Sequence, residues 1–408
     1  MWMNKLGIKW ECFDIGWHEI DDLCYQLPQV ILARTESCSK KKTLCIYSNL
    51  DVSSPKDQHW NTDPWELTEK DGKLYGKGAA SGKGTLLSWF HAIHAYRRRQ
   101  IDLPVNIKFI IESMNECNSK GLEEFLKQQK PTFLADICNI VIADSEWLGE
   151  NYPCLIYGIT GSCKFQVTAE KLENSDPEKD MDSIFATIVD SDGKIVLPHF
   201  SDHVDHITPA EEKLYDSIDF DFEEIRPTLP PNQQHWDKVQ MLMNFWRLPA
   251  ITVNDAEECR CENSDQNILK RNFVLKIVPK QVPDNIARLV TSHIYNVCQQ
   301  INCQSKVSCE LLSSSRPWLV DFTHPNYKAA TRATIQVYGV EPNMIRQDNE
   351  IPIILMLQKI IDRNILLLPL GSSSCNAHSG NENITLRNLY DGTKLLIAYL
   401  YQLANNTR

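Results

Sequence analysis

The chain has 408 residues, of which 42% are hydrophobic and 23% are charged, and its formal net charge is −11 at pH 7. The composition is typical of a folded globular protein, and the length predicts two or more domains or one large domain with an insertion. The negative charge argues against non-specific nucleic-acid binding, which requires Lys and Arg to neutralise phosphates.

Three features of the sequence indicate the cellular compartment of the protein. No stretch approaches the roughly 18 consecutive apolar residues that span a membrane. The first residues contain neither the apolar segment nor the cleavage site of a secretory signal peptide. The 14 cysteines are scattered without regular spacing, which is typical of reduced thiols. The sequence therefore predicts a cytoplasmic protein.

Apolar runs alternate with an amphipathic segment in the first third of the chain. Residues 44–47, 105–111 and 139–143 predict buried strands. Residues 85–96 carry the apolar spacing of a helix that packs against a core. Strand–helix–strand alternation predicts an α/β fold with a largely parallel sheet flanked by helices.

The middle of the chain has a different pattern. Residues 164–169 and 273–278 alternate between apolar and polar side chains and predict half-buried strands, and residues 284–296 predict a helix that begins after a proline. Residues 227–234 contain three prolines and predict a surface loop. We interpret this part as a smaller inserted α+β domain, after which the chain ends in a predicted helix at residues 391–403.

Polar residues follow the apolar runs where the strands are predicted to end, and open α/β sheets bind ligands at the carboxyl ends of their strands. One of these residues lies in a glycine-rich stretch, residues 76–84, that enters the first helix. This stretch lacks the residue order of a phosphate loop, so its glycines predict a tight strand-to-helix turn. The residues concerned are Asn49, Ser81, Asn115, Glu116 and His378.

The framework around these positions resembles the cytosolic non-specific dipeptidases and carnosine dipeptidases, a branch of the co-catalytic zinc peptidases that includes the aminoacylases. The resemblance runs from about residue 14 to residue 404 and rests on short strings such as Asp51-Val52, Lys83-Gly84, Trp147-Leu148-Gly149, His324-Pro325 and Ala377-His378-Ser379. It implies a discontinuous metallopeptidase-like domain at residues 1–156 and 316–408. It also implies an inserted lid or dimerisation domain at residues 157–315.

By this resemblance, six positions correspond to a two-metal active site. Such a site holds its metal ions with His and carboxylate ligands, and a Glu acts as the general base. The general base corresponds to Asn115 and the bridging ligand to Ser81. The other ligand positions are Asn49, Glu116, Asp144 and His378. Glu116, Asp144 and His378 keep the expected chemistry, and the other three positions do not.

Each replacement removes a specific property. Asn49 presents an amide where a His is expected, and the Asp51 carboxylate that would have oriented that His has nothing to orient. The Ser81 hydroxyl cannot bridge two cations. Asn115 cannot accept a proton from water, and loss of a general base costs on the order of 10²–10⁴ in rate.

The three retained ligands do not complete either metal position. By the resemblance, Glu116 and His378 belong to one metal and Asp144 to the other, so neither metal keeps three protein ligands. Cys117 and Cys375 lie close to retained ligands in the sequence, but isolated cysteines are usually buried thiols. Two interpretations stay open, namely one weakly bound zinc or manganese ion or no metal.

Substrate recognition is also predicted to differ. Where the family has Arg-x-Gly-Gly-Ser-Ile-Pro, the turn that approaches the carboxylate of a dipeptide, this chain has Asp348 and Glu350, whose charges would repel that carboxylate. Lys276 corresponds to a family Arg and replaces a two-pronged guanidinium with a point charge.

Two functions are compatible with this pattern. The first is a catalytically inactive dipeptidase homologue, a pseudoenzyme with a binding or regulatory role. The second is a cytosolic metallodipeptidase with an altered metal site, in which Glu112 or Asp51 acts as the base. The resemblance further implies a homodimer, or a heterodimer with an active paralogue, and a possible peptide ligand. Neither nucleic acid nor membrane is expected as a partner.

Overall fold

The computed structural model describes residues 2–20, 23–229, 231, 233–254, 257–260, 267–348 and 351–405. The strands are β1 (Lys9–Phe13), β2 (Trp17–Ile20), β3 (Leu23–Gln26), β4 (Val30–Arg34), β5 (Thr43–Asn49), β6 (Thr68–Lys70), β7 (Lys73–Tyr75), β8 (Asn106–Glu112), β9 (Ile137–Ile142), β10 (Cys154–Ile159), β11 (Gly161–Glu170), β12 (Ala250–Val253), β13 (Glu257–Arg260), β14 (Asn267–Ile277), β15 (Lys306–Ser315), β16 (Trp318–Leu319), β17 (Asn343–Gln347), β18 (Ile365–Leu367) and β19 (Asn383–Thr385). The α-helices are α1 (Trp2–Lys5), α2 (Gly82–Arg98), α3 (Leu122–Gln129), α4 (Pro177–Phe185), α5 (Pro209–Asp216), α6 (Phe222–Ile225), α7 (Lys238–Trp246), α8 (Pro283–Gln300), α9 (Pro325–Tyr338), α10 (Pro352–Ile361) and α11 (Leu386–Asn405).

Within these residues, nine strands form one large mixed sheet in the order β1-β4-β8-β5-β9-β18-β10-β16, with β17 paired to β10. Its centre is parallel, because β5 pairs in parallel with both β8 and β9, and β9 pairs in parallel with β18. Every residue of β5 and β8 is buried, as expected of parallel strands covered on both faces. The predicted α/β class and its three buried strands are confirmed.

Helices cover both faces of this sheet. Successive side chains of a strand point to opposite faces, and Leu44 and Ile46 of β5 lie in one hydrophobic cluster while Cys45 and Tyr47 lie in another. The first cluster includes apolar residues of α2, α9 and α11, and the second includes those of α3, α5, α7 and α10. The predicted helices at residues 85–96 and 391–403 are α2 and α11, and both are longer than predicted.

A smaller sheet has the order β12-β14-β11-β15, with β13 paired to β14. β11 alternates between buried and partly exposed residues, because one face packs on α4 and α8 and the other does not. The predicted strands at residues 164–169 and 273–278 are β11 and β14, although residue 278 lies beyond the end of β14. The predicted helix at residues 284–296 is α8, which begins at Pro283, where a proline costs no hydrogen bond.

The segment between α4 and β12 contributes to the larger core. Tyr215 of α5 and Met241 and Trp246 of α7 belong to the cluster that packs on the large sheet. The predicted inserted domain at residues 157–315 therefore includes helices that cover the other domain, and its boundaries stay a prediction. Part of the predicted loop at 227–234 lies outside the described residues, and Arg226–Thr228 forms a 3₁₀ turn. No helix in the described ranges has the length and apolar character needed to cross a bilayer.

Candidate functional site

The predicted site residues lie around one edge of the large sheet. Asn49 and Glu112 are the last residues of β5 and β8, which pair in parallel at that point. Asp144 follows β9, and its Oδ1 accepts a hydrogen bond from the backbone N of Gly82 at the start of α2 (3.3 Å). Glu116 lies in the 3₁₀ turn after β8, and its side chain contacts that of His378, which lies in the loop after β18. The structure therefore assembles the six positions that the sequence singled out.

Asn49 is buried and forms hydrogen bonds with the residue that was predicted to have lost its partner. Its Nδ2 donates to the backbone O of Asp51 (3.2 Å) and to the Oδ1 of Asp51 (3.3 Å). The other carboxylate oxygen of Asp51 accepts from the backbone N of Glu116 (2.8 Å). The prediction that Asp51 has nothing to orient is therefore wrong, since it links Asn49 to the turn that carries Glu116.

The side-chain oxygen of Asn49 forms no hydrogen bond within the described residues. Asn49 Oδ1 is buried and has no partner among the described residues. It faces the first residue of α2, because a Cβ built on Gly82 would lie 2.9 Å from Asn49 Oδ1 and 2.7 Å from the Asn49 carbonyl oxygen. A glycine at position 82 is required for this close approach of helix and strand.

Ser81 bonds to a buried carboxylate that the sequence analysis missed. Its Oγ and its backbone N donate to Oε1 of Glu382, at 2.9 and 3.0 Å. The same carboxylate accepts from the backbone N of Ala80 (3.1 Å) and of Gly78 (2.9 Å). Glu382 is fully buried and holds the turn before α2 in place. An acidic residue four positions after His378, in a loop that returns to the site, was the available signal.

The glycine-rich turn has the tight geometry that the sequence predicts. Gly78 adopts a φ of +87°, in the left-handed region that favours glycine. A Cβ on Gly84 would lie 1.9 Å from the carbonyl oxygen of Ala79. This turn brings the backbone N–H groups of residues 78, 80 and 81 together around the Glu382 carboxylate.

Asn115 donates a hydrogen bond instead of accepting a proton. Its Nδ2 donates to Tyr47 Oη (2.8 Å), and the Tyr47 hydroxyl in turn donates to Glu112 Oε1. Ser119 Oγ donates to the same oxygen (2.7 Å). Burial raises the pKa of Tyr47, and the neighbouring Glu112 carboxylate raises it further. Asn115 is therefore the outer end of a buried hydrogen-bond chain.

Glu112 lies at the inner end of this chain. It is 1% exposed, and its second oxygen has no hydrogen-bond partner in the described residues. Burial raises the pKa of its carboxyl. The enclosure of Glu112 argues against its predicted role as a replacement base, because a base must reach the proton that it removes. Both oxygens of Asp51, the other candidate, already accept hydrogen bonds.

The retained ligands Glu116 and His378 pair with each other. His378 Nδ1 lies 3.1 Å from Glu116 Oε1, and the two side chains are 49% and 24% exposed. His378 adopts a φ of +63°, and its carbonyl oxygen accepts hydrogen bonds from Lys77 Nζ (2.9 Å) and Gln58 Nε2 (3.0 Å). Burial raises the pKa of the third retained residue, Asp144, while His378 acts to lower it.

These side chains do not fit a two-metal centre. Among the residues that the structure describes, no three His, Cys, Asp or Glu side chains converge so that they could hold a metal ion. Cys117 is exposed, and Cys375 is buried with its sulfur 3.8 Å from Ser372 Oγ. At the replaced positions the amide nitrogens of Asn49 and Asn115 and the hydroxyl of Ser81 donate hydrogen bonds to neighbouring oxygens. The buried Asn49 Oδ1 keeps a free lone pair, but a neutral amide oxygen is a poor zinc ligand beside an imidazole.

Lys276, which the resemblance places in the substrate-binding region, forms hydrogen bonds with backbone carbonyl groups of the chain. Its Nζ donates to the carbonyl oxygens of Asn244 (2.7 Å) and Phe245 (2.9 Å) in the last turn of α7, and it lies 3.8 Å from Asp348 Oδ2. Burial lowers the pKa of Lys276. Asp348 also accepts a hydrogen bond from Thr160. The charge of Asp348 is thus opposed by Lys276, while Glu350 lies outside the described residues.

Comparison with known proteins identifies relatives over nearly the whole chain. Residues 45–402 match the model of "Peptidase family M20/M25/M40". The chain is 34% identical to the Beta-Ala-His dipeptidase of Mus musculus over 98% of its own length and 85% of the relative. It is 31% identical to the Cys-Gly metallodipeptidase dug1 of Schizosaccharomyces pombe over 98% of its own length and 88% of the relative. The crystal structure of human carnosine dipeptidase 1 superposes with a TM-score of 0.83, at 33% identity, over 99% of this chain and 88% of that one.

Proposed function

The chain belongs to peptidase family M20/M25/M40, and from the side chains of its candidate site we propose that it is a dipeptidase homologue that has lost two-metal hydrolysis and acts by binding a ligand or partner. One observation carries the proposal. At two of the ligand positions the side chain donates a hydrogen bond to a neighbouring carboxylate, Asn49 to Asp51 and Ser81 to Glu382.

Electrostatics explains why these donors matter. Carboxylates clustered in a poorly solvated site repel one another, and in a two-metal enzyme the cations offset this repulsion. Here the Asn49 amide and the Ser81 hydroxyl donate to two of the carboxylates, and His378 pairs with a third, Glu116. We infer that these three contacts stabilise their carboxylates in the absence of a metal ion. Peptide hydrolysis by the two-metal mechanism would in addition need the base that Asn115 cannot supply.

A metal-dependent dipeptidase is the second candidate function. The relatives named above are dipeptidases, and taken alone the comparisons favour this activity over its loss. It would require a single zinc or manganese ion held by Glu116, His378 or Asp144, together with a base at a position other than Asn115. The proposed cofactor is thus one such ion or none.

Hydrolysis of a dipeptide panel, including β-alanyl-histidine and cysteinyl-glycine, distinguishes the two candidates. The purified chain is assayed with added zinc or manganese and after chelation, beside the variant Glu116→Ala. We expect no metal-dependent hydrolysis above that of the variant. Hydrolysis that requires metal and disappears in Glu116→Ala would establish the second candidate instead.

Assembly and location are further parts of the proposal. We propose a dimer, either of two copies or with an active paralogue, because the family resemblance implies one. Co-purification from cells with a catalytically complete relative would support the heterodimer, whereas a monomer would contradict both forms. We also propose a cytoplasmic location, supported by the free thiols of the described cysteines, which suit a reducing compartment.

A further inference from the structure

Three cysteines line a cleft in the smaller, inserted part of the fold. The cleft has a volume of about 340 Å³ and lies between α8 and β15. Its walls include Cys298 near the end of α8, Cys303 in the turn that follows, and Cys309 in β15. All three are free thiols and partly exposed. None of the six positions of the candidate metal centre lines this cleft.

The way in which α8 ends places Cys298 beside Cys303. Asn302, just after the helix, has a φ of +53°, in the left-handed region. The backbone N of Cys303 donates to the carbonyl oxygen of Cys298 (2.9 Å). The backbone N of Asn302 donates to the carbonyl oxygen of Gln299 (3.4 Å). These two bonds form a Schellman motif, in which the side chains at the positions of Cys298 and Cys303 usually make an apolar contact.

In this chain the two side chains that meet at the motif are thiols, and they are hydrogen-bonded to each other. A disulfide requires Cα atoms about 4.4–6.8 Å apart and Cβ atoms that point toward each other. The backbone bond between Cys298 and Cys303, together with the contact of their thiols, indicates that the pair can be joined without movement of α8. Cys309 lines the same cleft without such a contact among the described residues.

The surroundings of the two thiols slow their oxidation. Burial raises the pKa of Cys298, and burial, followed by the bond to Cys298, raises the pKa of Cys303 to about 12. Asp180 of α4, which accepts a hydrogen bond from the backbone N of Ser305 (2.9 Å), adds a negative charge nearby. A thiolate is the nucleophile in disulfide exchange, so a raised pKa reduces the rate at neutral pH. We therefore expect slow oxidation that requires an excess of oxidant.

We propose that Cys298 and Cys303 are a reversible modification site, which a low-molecular-weight disulfide such as glutathione disulfide converts into an internal disulfide. One cysteine loses its proton to solvent, and its thiolate attacks a sulfur of the oxidant and releases one thiol. The other cysteine, deprotonated in the same way, attacks the resulting mixed disulfide and releases a second thiol. The protein loses two electrons, and one molecule of oxidant is reduced to two thiols.

This site is independent of whether the chain hydrolyses peptides. Disulfides of proteins in a reducing compartment are usually transient and respond to the redox state, which agrees with a pair that opens again in reduced glutathione.

Peptide mapping of the full chain after equilibration in glutathione redox buffers at pH 8 tests the proposal. Trypsin releases residues 289–306 as one peptide, which contains Cys298 and Cys303 and no other cysteine. An internal disulfide makes this peptide lighter by two hydrogens, whereas a mixed disulfide adds glutathione. We expect the internal disulfide to be the main oxidised form in excess glutathione disulfide, and to disappear in excess reduced glutathione.

Three outcomes would overturn the proposal. The peptide could stay reduced in excess glutathione disulfide, it could carry mainly glutathione, or it could be cross-linked to the peptide that contains Cys309.

Variants and unfolding locate the bond. Cys303→Ser should carry only the mixed disulfide at Cys298, and Cys309→Ser, in the same cleft, is the matched control and should keep the internal disulfide. Urea unfolding abolishes the Schellman motif, so the native chain should form the internal bond about tenfold more readily than the unfolded chain, because the fold raises the effective concentration of one thiol beside the other. Loss of the bond in a folded Cys309→Ser, or equal formation in native and unfolded chains, would contradict the assignment.

Discussion

At the scale of single residues, the site is organised by hydrogen-bond donors. Asn49, Ser81 and Asn115 correspond by resemblance to two ligands and a base, all of which present lone pairs. In this chain each of the three side chains donates a hydrogen bond: Asn49 to Asp51, Ser81 to Glu382 and Asn115 to Tyr47. The replacements could be read from the sequence, but their new partners could not, because Glu382 is 301 residues from Ser81 and only the fold brings the two together.

Restoring a carboxylate at position 81 should destabilise the folded chain. Ser81→Asp places a second carboxylate against the buried Glu382, and we expect a loss of about 2–4 kcal/mol in the free energy of unfolding at pH 7. Ser81→Ala removes one hydrogen bond and should cost about 1 kcal/mol. Urea unfolding of both variants measures the difference. Equal stability of the two would show that the carboxylates do not repel each other.

The enclosed carboxyl of Glu112 predicts a pH dependence. Burial raises its pKa in the folded chain above the ordinary value of 4.5, so its contribution to stability is present at low pH and is lost as the pH rises through the raised pKa. The variant Glu112→Gln has no ionisable group at this position, so its stability does not fall in this way as the pH rises. The free energy of unfolding of the variant minus that of the parent should therefore increase from pH 4 to pH 8, as followed by urea unfolding.

The exposed residue Glu178 provides the control for this experiment, and Glu178→Gln should show no such increase. A pH-independent difference for Glu112→Gln would mean that the burial of Glu112 does not disfavour its charged form.

At the scale of elements, hydrophobic patterning predicted the strands and helices better than it predicted their ends. The strand at residues 44–47 extends to Asn49, and the helix at residues 85–96 begins at Gly82, in both cases because polar residues continue the element into the site. The roles of α5 and α7 were not predicted. They lie in the inserted part of the sequence, but their apolar faces pack on the large sheet, and periodicity alone does not show which sheet a helix covers.

Lys276 connects α7 to the smaller sheet. Lys276→Met removes the donor to the carbonyl oxygens of Asn244 and Phe245 and the partner of Asp348, and we expect it to cost about 1–3 kcal/mol in the free energy of unfolding. Lys164→Met, at an exposed position of the neighbouring strand β11, should stay within about 0.5 kcal/mol of the parent. Equal values for the two variants would show that Lys276 does not stabilise α7.

At the scale of the whole molecule, the chain keeps the architecture of its family while its candidate site lacks a metal-binding cluster in the described residues. The family and the fold could be predicted from short strings because these strings form the strand ends and turns that shape the sheet edge. Function is less tightly linked to fold, since a few side chains decide the chemistry. The central claim is that hydrogen-bond donors have taken the place of metal ions in this site.

Thermal unfolding of the parent chain and of the variant Asn49→His, Ser81→Asp, Asn115→Glu, in chelator and then in excess manganese or zinc, tests this claim most directly. A ligand that binds only the folded state stabilises it by about 2.7 kcal/mol at a hundred times its Kd. We expect the midpoint of the parent to be the same with and without metal. The variant should unfold at a lower temperature in chelator and recover when metal is added. A parent whose midpoint rises with metal, and loses that rise in Glu116→Ala, would contradict the account.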